Sequence, residues 1–301
     1  EIAQCLVGSE MCIRDSCKLV DSHLVRWARE VGNTDVDTFI IPSDCPRFQS
    51  GDAKGLVKAS TRGDDLYIFV DPGNYSVTYQ LFGYENHLSP DDHFQNLMRL
   101  IQAVAGRAHR ISVIMPSLYG GRQHRRVSRE SLDCAFALQQ LRDVGVKNII
   151  TFDAHDPRVM NAVPTMSFDN VMPTYQVLKC LLHHVPDVSF HKDNFMIVSP
   201  DEGAMNRNMY YSSVLGCNLG MFYKRRDYSR IVNGRNPIVA HEYLGESVEG
   251  KDVFIADDII ASGESMLDIA YELKMRGARN IFTCCTFPLF TAGLEKFDKA
   301  Y

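Results

Sequence analysis

Two adjacent carboxylates, Asp257 and Asp258, stand just before a short Ser/Gly turn, Ala261-Ser262-Gly263-Glu264-Ser265. Acids in such a place can hold sugar hydroxyls or a metal. Backbone N–H groups at a helix start, helped by serine hydroxyls, can hold a phosphate. A phosphorylated sugar needs both at once. The elements that must position these groups are readable on either side. Asp252 to Ala256 is a strand-like apolar run, and Met266, Ile269, Ala270 and Leu273 recur at i, i+3, i+4, i+7 until Gly277, which predicts a helix. The same residues also fit an ordinary strand-to-helix turn, with Ser262 as N-cap and two solvated aspartates, so the rest of the chain has to weigh in.

Other polar clusters carry compatible chemistry. Gly120-Gly121-Arg122-Gln123-His124-Arg125-Arg126 places three arginines within five residues, and guanidinium forks match phosphate oxygens. A solvated basic loop, or one that meets nucleic-acid phosphates, is the alternative. His155 lies between Asp153 and Asp156, where it can ligate a divalent ion, touch a phosphate or bond a neighbouring carbonyl. Asp201, in Ile197-Val198-Ser199-Pro200-Asp201-Glu202-Gly203, suits Mg²⁺ beside phosphates, or simply the positive end of a helix. Lys224-Arg225-Arg226 leads into a polar stretch, Asp227 to Asn236, expected to be mobile and able to fold cations over a polyphosphate, unless it is only a solvated charged loop. Walker A, GxGxxG, GxSxG and HExxH patterns do not occur, which argues against P-loop kinases, dinucleotide-binding dehydrogenases, α/β-hydrolases and zincins.

The positioning elements alternate. Strands are expected at Thr38–Ile41, Leu66–Val70, Ile111–Met115 and Asn148–Phe152, with helices between them, one opened by Ser89-Pro90-Asp91-Asp92 with good start chemistry. A second round follows from about Val171, with strands at Phe195–Ser199, Leu219–Phe222, Ile238–Ala240, Asp252–Ala256 and Ile281–Thr286. This predicts an α/β protein of two domains, 17–170 and 171–301, each a mainly parallel sheet flanked by helices, with a seam near 168–173. Ligands of such sheets bind beyond the carboxyl ends of the strands, where the polar clusters repeatedly fall. That coincidence points to an enzyme.

Composition sets the outer bounds. The 301 residues carry 32 basic and 37 acidic side chains, net −5, which argues against bulk nucleic-acid binding. No apolar run approaches a membrane span. The nine cysteines are odd in number and lack a CxxC pair, as expected of reduced thiols in the cytoplasm. Residues 1–16, with CLVGSEMCIRDS, read as a non-native leader outside the fold, and Ala292 to Tyr301 reads as a helix cut short.

Taken in order, these segments resemble the ribose-phosphate diphosphokinase (phosphoribosyl pyrophosphate synthetase) family over residues 37 to 301. VFIADDIIASGES resembles its phosphoribosyl-binding loop, KRR its catalytic flexible loop, and IVSPDEG its metal segment. FDAHDP resembles its metal- and ATP-contacting histidine segment, GGRQHRR its ATP-phosphate loop and FQSGD its adenine loop, with CCTFP near the end also matching. The resemblance implies two phosphoribosyltransferase-like domains and a reaction moving the diphosphoryl group of ATP to O1 of ribose 5-phosphate, with Mg²⁺. It implies that Phe48 and Asp52 meet the adenine of ATP bound by a neighbouring subunit of a homo-oligomer. Arg122, Gln123 and His155 would hold ATP, and His155 and Asp201 would organise Mg²⁺. Lys224 and Arg226 would stabilise the transferring group. Asp257 and Asp258 would hold the ribose hydroxyls, and Ser262, Gly263 and Ser265 the 5-phosphate.

The chain departs from that pattern in places. Ser50 and Asp52 stand where Asp and Glu are usual, His124 replaces an Asp, Ala261 an acid and Glu264 commonly a Gly, while Arg158, Met160 and Asn161 break a Gln/Gly-rich run. A carboxylate at Glu264 costs phosphate affinity unless it points away or is paired. Two other readings stay open: a phosphoribosyltransferase, which explains the Asp-Asp turn alone, and a catalytically silent paralogue that binds synthetase subunits. The expected picture is of acidic and cationic loops meeting in a single cleft.

Overall fold

A computed structural model describes residues 4–8, 11–185, 187–226 and 238–300. The chain falls into two compact units, Glu1–Val171 and Met172–Tyr301.

The first unit carries β1 (Gln4–Gly8), α1 (Met11–Glu30), β2 (Ser43–Asp44), β3 (Leu56–Val57), β4 (Asp65–Phe69), β5 (Thr78–Leu81), β6 (Tyr84–His87), α2 (Pro90–Val104), β7 (Arg110–Ile114), α3 (Asp133–Asp143), β8 (Val146–Phe152) and β9 (Ser167–Val171). Its sheet runs β1-β4-β7-β8-β9 and every pairing in it is parallel. The core is built on Leu66, Ile68, Val113 and Ile149 from the strands, covered by Leu97, Ile101, Leu138 and Leu141 from α2 and α3. Parallel strands are buried on both faces, which is why they read as apolar runs rather than alternating ones.

Helix α2 starts as its sequence dictates. The Ser89 side chain accepts from the Asp92 amide, the Asp92 carboxylate accepts from the Ser89 amide, and Pro90 occupies the first turn. Three expectations are corrected. Thr38–Ile41 forms no strand, only a single bridge at Ile40, because Asp21 of α1 takes the Phe39 amide at 2.6 Å and the Thr38 hydroxyl at 2.9 Å. The segment placed outside the fold takes part in it: Gln4–Gly8 is the edge strand beside β4, and α1 begins at Met11. The third is an omission, since β9 and the β5–β6 hairpin were not expected at all.

The second unit carries α4 (Thr174–His184), β10 (Phe195–Ser199), α5 (Met205–Leu215), β11 (Asn218–Arg226), β12 (Ile238–Leu244), β13 (Asp252–Ile260), α6 (Glu264–Met275), β14 (Ile281–Pro288) and α7 (Glu295–Ala300). Its sheet order is β12-β11-β10-β13-β14, parallel except for the antiparallel edge strand β12. Alternate residues serve opposite faces. Met196, Val198, Val253 and Ile255 join Met266, Ile269 and Leu273 of α6, while Phe195, Ile197, Phe254 and Ala256 join Tyr211 of α5 and Leu178 of α4. Phe195, Phe222 and Phe254 are among the largest fully buried side chains, each worth about 1.5–3 kcal/mol of burial.

The order of this sheet matters for function. From β10 the chain goes outward to β11 on one side and later to β13 on the other. The crevice beyond the carboxyl ends of β10 and β13 is therefore a topological switch point, where open α/β sheets bind ligands.

Candidate active site

The switch point of the second unit is lined by acid. Asp201 follows β10, and Asp257 and Asp258 lie within β13, which runs on through Ile260 rather than ending at Ala256 as expected. Asp258 is buried, and its amide donates to Asp257 Oδ1 at 2.9 Å. The Asp257 carboxyl is pushed up to about 7, first by burial, then by its hydrogen bond with Asp258 and the charges of Asp258 and Asp201. Carboxylates crowded this way favour sugar hydroxyl donors or a cation.

Two residues that sequence reasoning passed over build this cluster. Arg207 of α5, its side chain only 8% exposed, brings Nη1 to 3.7 Å from Asp257 Oδ1 and 4.0 Å from Asp258 Oδ1. Asn208 is fully buried. Its Nδ2 donates to the Ala256 carbonyl at 2.8 Å, and its Oδ1 accepts the Ala256 amide at 3.1 Å. That pair of bonds fixes β13 immediately before the two aspartates. The available signal was position alone: both residues lie one to two turns after Asp201, on the helix that leaves the same strand end.

The turn after β13 keeps its amides available. The N-cap of α6 is Gly263 at φ +83°, with no side-chain cap, so Ser262 does not cap the helix. Only glycine suits this spot. The backbone is left-handed, and a Cβ would run into the Phe297 ring of α7. Glu264 is answered by Lys296 of α7 at 2.7 Å, which holds its carboxyl below the usual range. Its charge is thus paired beside the turn. Ser262 is half-buried and Ser265 exposed.

Lys224 and Arg226 are the last part of β11, where Lys224 pairs with His241 and Arg226 with Ile238 across an irregularity in register. Their side chains, and the polar stretch expected to be mobile, lie outside the described residues.

In the first unit the expected nucleotide residues fall in loops at strand ends. His155 is exposed just after β8, and Arg122 is exposed after β7. Gln123 Nε2 donates to the Ser131 carbonyl at 2.9 Å. The His155 segment is held by β9: the Asp153 amide donates to the Val171 carbonyl, and the Ala154 amide to Asn170 Oδ1. Asp153 is buried at φ +42°, an uncommon conformation for a residue with a side chain. The rings of His124 and His155 lie 5.2 Å apart.

Phe48 and Asp52 sit on a tight loop in which the Phe48 amide donates to the Asp52 carbonyl, and the Ser50 hydroxyl bonds the Asp52 carboxylate at 2.8 Å. Arg47 anchors the loop. It pairs with Asp92 at 2.8 Å, donates to the Gly51 carbonyl and lies over the Tyr79 ring at 4.2 Å. A cavity of about 430 Å³ opens here between Phe48 and Tyr79, with Arg47, Gln49, Gln80 and Asn96 also on its walls. Phe48 remains 53% exposed, able to offer a ring face.

Among the described residues no group of three or more His, Cys, Asp or Glu is placed to hold a metal ion by itself. None of their helices is long and apolar enough to cross a membrane.

Two sheets of this kind in one chain, the second with a Ser/Gly turn after paired aspartates at its switch point, define a tandem phosphoribosyltransferase-type protein. Residues 22–145 match the N-terminal domain of ribose phosphate pyrophosphokinase, and residues 183–299 match the phosphoribosyl transferase domain. The chain belongs to the ribose-phosphate pyrophosphokinase family, a family of transferases. The ribose-phosphate pyrophosphokinase of Ralstonia nicotianae is 27% identical over 251 residues, covering 82% of this chain and 70% of that protein. Its namesake in Staphylococcus aureus is 26% identical over 247 residues, covering 81% and 69%. In fold, the chain is similar to the phosphoribosylpyrophosphate synthetase of Mycobacterium smegmatis, with a TM-score of 0.71 at 18% identity, covering 95% of this chain and 81% of that one.

Proposed function

We propose that this protein is a ribose-phosphate diphosphokinase, transferring the diphosphoryl group of ATP to O1 of ribose 5-phosphate and releasing AMP, in the presence of Mg²⁺. The observation that carries this reading is the switch point of the second unit. Paired aspartates and an uncapped Gly263 turn follow one another on β13 and α6, as a phosphorylated pentose requires. Asp257 and Asp258 hold ribose hydroxyls, while the amides around Gly263, with Ser262 and Ser265, hold the 5-phosphate. The Lys296–Glu264 pair lets a carboxylate stand beside that phosphate.

The chemistry asks for positioning and charge neutralisation rather than a covalent nucleophile. Arg122 and Gln123 hold the nucleotide phosphates, and Lys224 and Arg226 neutralise the group in transit. His155 in the first unit and Asp201 in the second each meet Mg²⁺, which when bound neutralises phosphate charge. The raised Asp257 carboxyl beside Asp201 speaks for a site with surplus negative charge, and oxygen donors suit that ion. Phe48 and Asp52, at the mouth of the cavity against Tyr79, meet the adenine of ATP held by a neighbouring subunit of a homo-oligomer. Cys17, Cys45, Cys134, Cys180, Cys217, Cys284 and Cys285 are free thiols, which supports a place in the cytoplasm.

The test is direct. The chain is incubated with ATP, Mg²⁺ and ribose 5-phosphate, and AMP is followed. Sugar-phosphate-dependent AMP is the expected result. Pyrophosphate release that requires phosphoribosyl pyrophosphate and a base would instead make it a phosphoribosyltransferase. Silence in both, with retained binding to synthetase subunits, would make it a regulatory paralogue.

A further inference from the structure

His124 is out of place as a merely structural residue. It sits in the arginine-rich loop after β7, its side chain only 15% exposed, and its Nδ1 is buried without a hydrogen-bond partner. A buried ring nitrogen left unmatched is costly, and such atoms in folded proteins usually mark an absent ligand or a strained site. Its other nitrogen, Nε2, lies 3.5 Å from Asp156 Oδ2, too far for a good hydrogen bond. That carboxylate is already committed: it takes Arg158 Nη2 at 2.5 Å and Nε at 2.9–3.1 Å, and the Arg158 amide as well. Asp156 therefore does little to satisfy His124.

What does approach His124 is His155. The ring centres are 5.2 Å apart with the planes inclined at 61°. Two imidazoles that share one ion, each through a nitrogen about 2.1 Å from it, have ring centres roughly 5 Å apart when the ligands subtend a tetrahedral or right angle. The pair already has that separation. With no third protein donor in place among the described residues, the other positions of the ion fall to water or phosphate oxygens, a usual arrangement beside a nucleotide.

We propose that His124 is a second imidazole ligand, with His155, to the divalent ion of the first unit, and that it moves the preference of this site from Mg²⁺ towards ions that accept nitrogen donors, such as Co²⁺ and Ni²⁺. The reason is donor chemistry. Mg²⁺ favours oxygen and parts reluctantly with water, whereas imidazole binds later first-row ions more tightly along the series from Mn²⁺ to Cu²⁺. The inference rests on the reading above that His155 meets a metal, but not on turnover.

The test uses the full chain stripped of metal, with Co²⁺ alone as probe and neither nucleotide nor sugar. Co²⁺ affinity is measured by calorimetry for the unaltered chain, for His124→Asp and for His124→Ala, with Mg²⁺ as competitor. The expected result is a loss of at least tenfold in Co²⁺ affinity in both variants, with Mg²⁺ displacing Co²⁺ more readily from His124→Asp. Affinities within twofold of one another overturn the proposal. Should both variants fail to fold, pulsed electron paramagnetic resonance of Mn²⁺ on the unaltered chain counts imidazole nitrogens directly: two support the inference and one or none overturns it. Two imidazoles without AMP formation would sink the diphosphokinase reading and leave this one standing. AMP formation with a single imidazole would do the reverse.

Discussion

Replacing Asp257 by Asn removes a charge that the folded second unit resists. The Asp257 carboxyl stands at about 7 against an ordinary 3.8, chiefly because it is buried, then because it bonds and faces Asp258, with Asp201 adding like charge. A carboxyl raised in the folded state stabilises that state fully below the unfolded value, near 3.8, and the contribution is lost as pH rises through about 7. An Asn at this position does not titrate, so its advantage over Asp should grow with pH across that window. From pH 5 to pH 8 the window spans about two pH units, or about 3 kcal/mol at about 1.4 kcal/mol per unit. Partial exposure and the nearby Arg207 trim this to about 2 kcal/mol. For a unit of this size that is a relative gain of several degrees in unfolding midpoint, read by calorimetry on protein free of ligands at both pH values. A difference between Asp257→Asn and the parent that is the same at pH 5 and pH 8, or larger at pH 5, would refute the reasoning. Ribose 5-phosphate binding should weaken in the same variant, because a carboxylate acceptor for the hydroxyls is gone.

Gly263→Ala should destabilise the second unit by more than about 1 kcal/mol and weaken sugar-phosphate binding, since it meets both a left-handed backbone and the Phe297 ring; unchanged thermal unfolding would contradict this. Lys296→Ala should raise the KM for ribose 5-phosphate several-fold by leaving Glu264 unpaired beside the phosphate, and Glu264→Gln in that background should restore it; absence of rescue would mean that the pair is only structural. Lys224→Ala should lower kcat by about 10²-fold or more while sugar-phosphate binding, followed by calorimetry, survives; an unaltered rate removes that residue from the mechanism.

Much of the scaffold was legible because single segments specify it. The apolar runs of β7, β8, β10 and β13 need no partner to be recognised, and Ser89-Pro90-Asp91-Asp92 carries its own cap. The Asp-Asp turn was legible for the same reason, since its two chemistries are contiguous in the chain. What escaped notice depends on contacts distant in sequence. Thr38–Ile41 is drawn off strand geometry by Asp21, seventeen or eighteen residues earlier. The edge strand β1 and the last strand β9 are defined by the neighbours they pair with. Glu264 looked like a liability until Lys296, 32 residues on, was found against it. Arg207 and Asn208 were invisible as site residues because a single arginine or asparagine in a polar helix has no periodic signature; only the fold turns them towards β13.

The central claim is that the phosphorylated pentose held at the Asp257–Ser265 turn attacks the nucleotide through its own O1. The most direct measurement gives the chain ribose 5-phosphate carrying a heavy oxygen isotope at O1, together with ATP and Mg²⁺, and examines the product by phosphorus NMR and mass spectrometry. The account predicts an intact diphosphoryl group joined to the sugar through the labelled oxygen, with AMP in equal amount. A product without the label in that bridge, or ATP turned over to ADP, would contradict it.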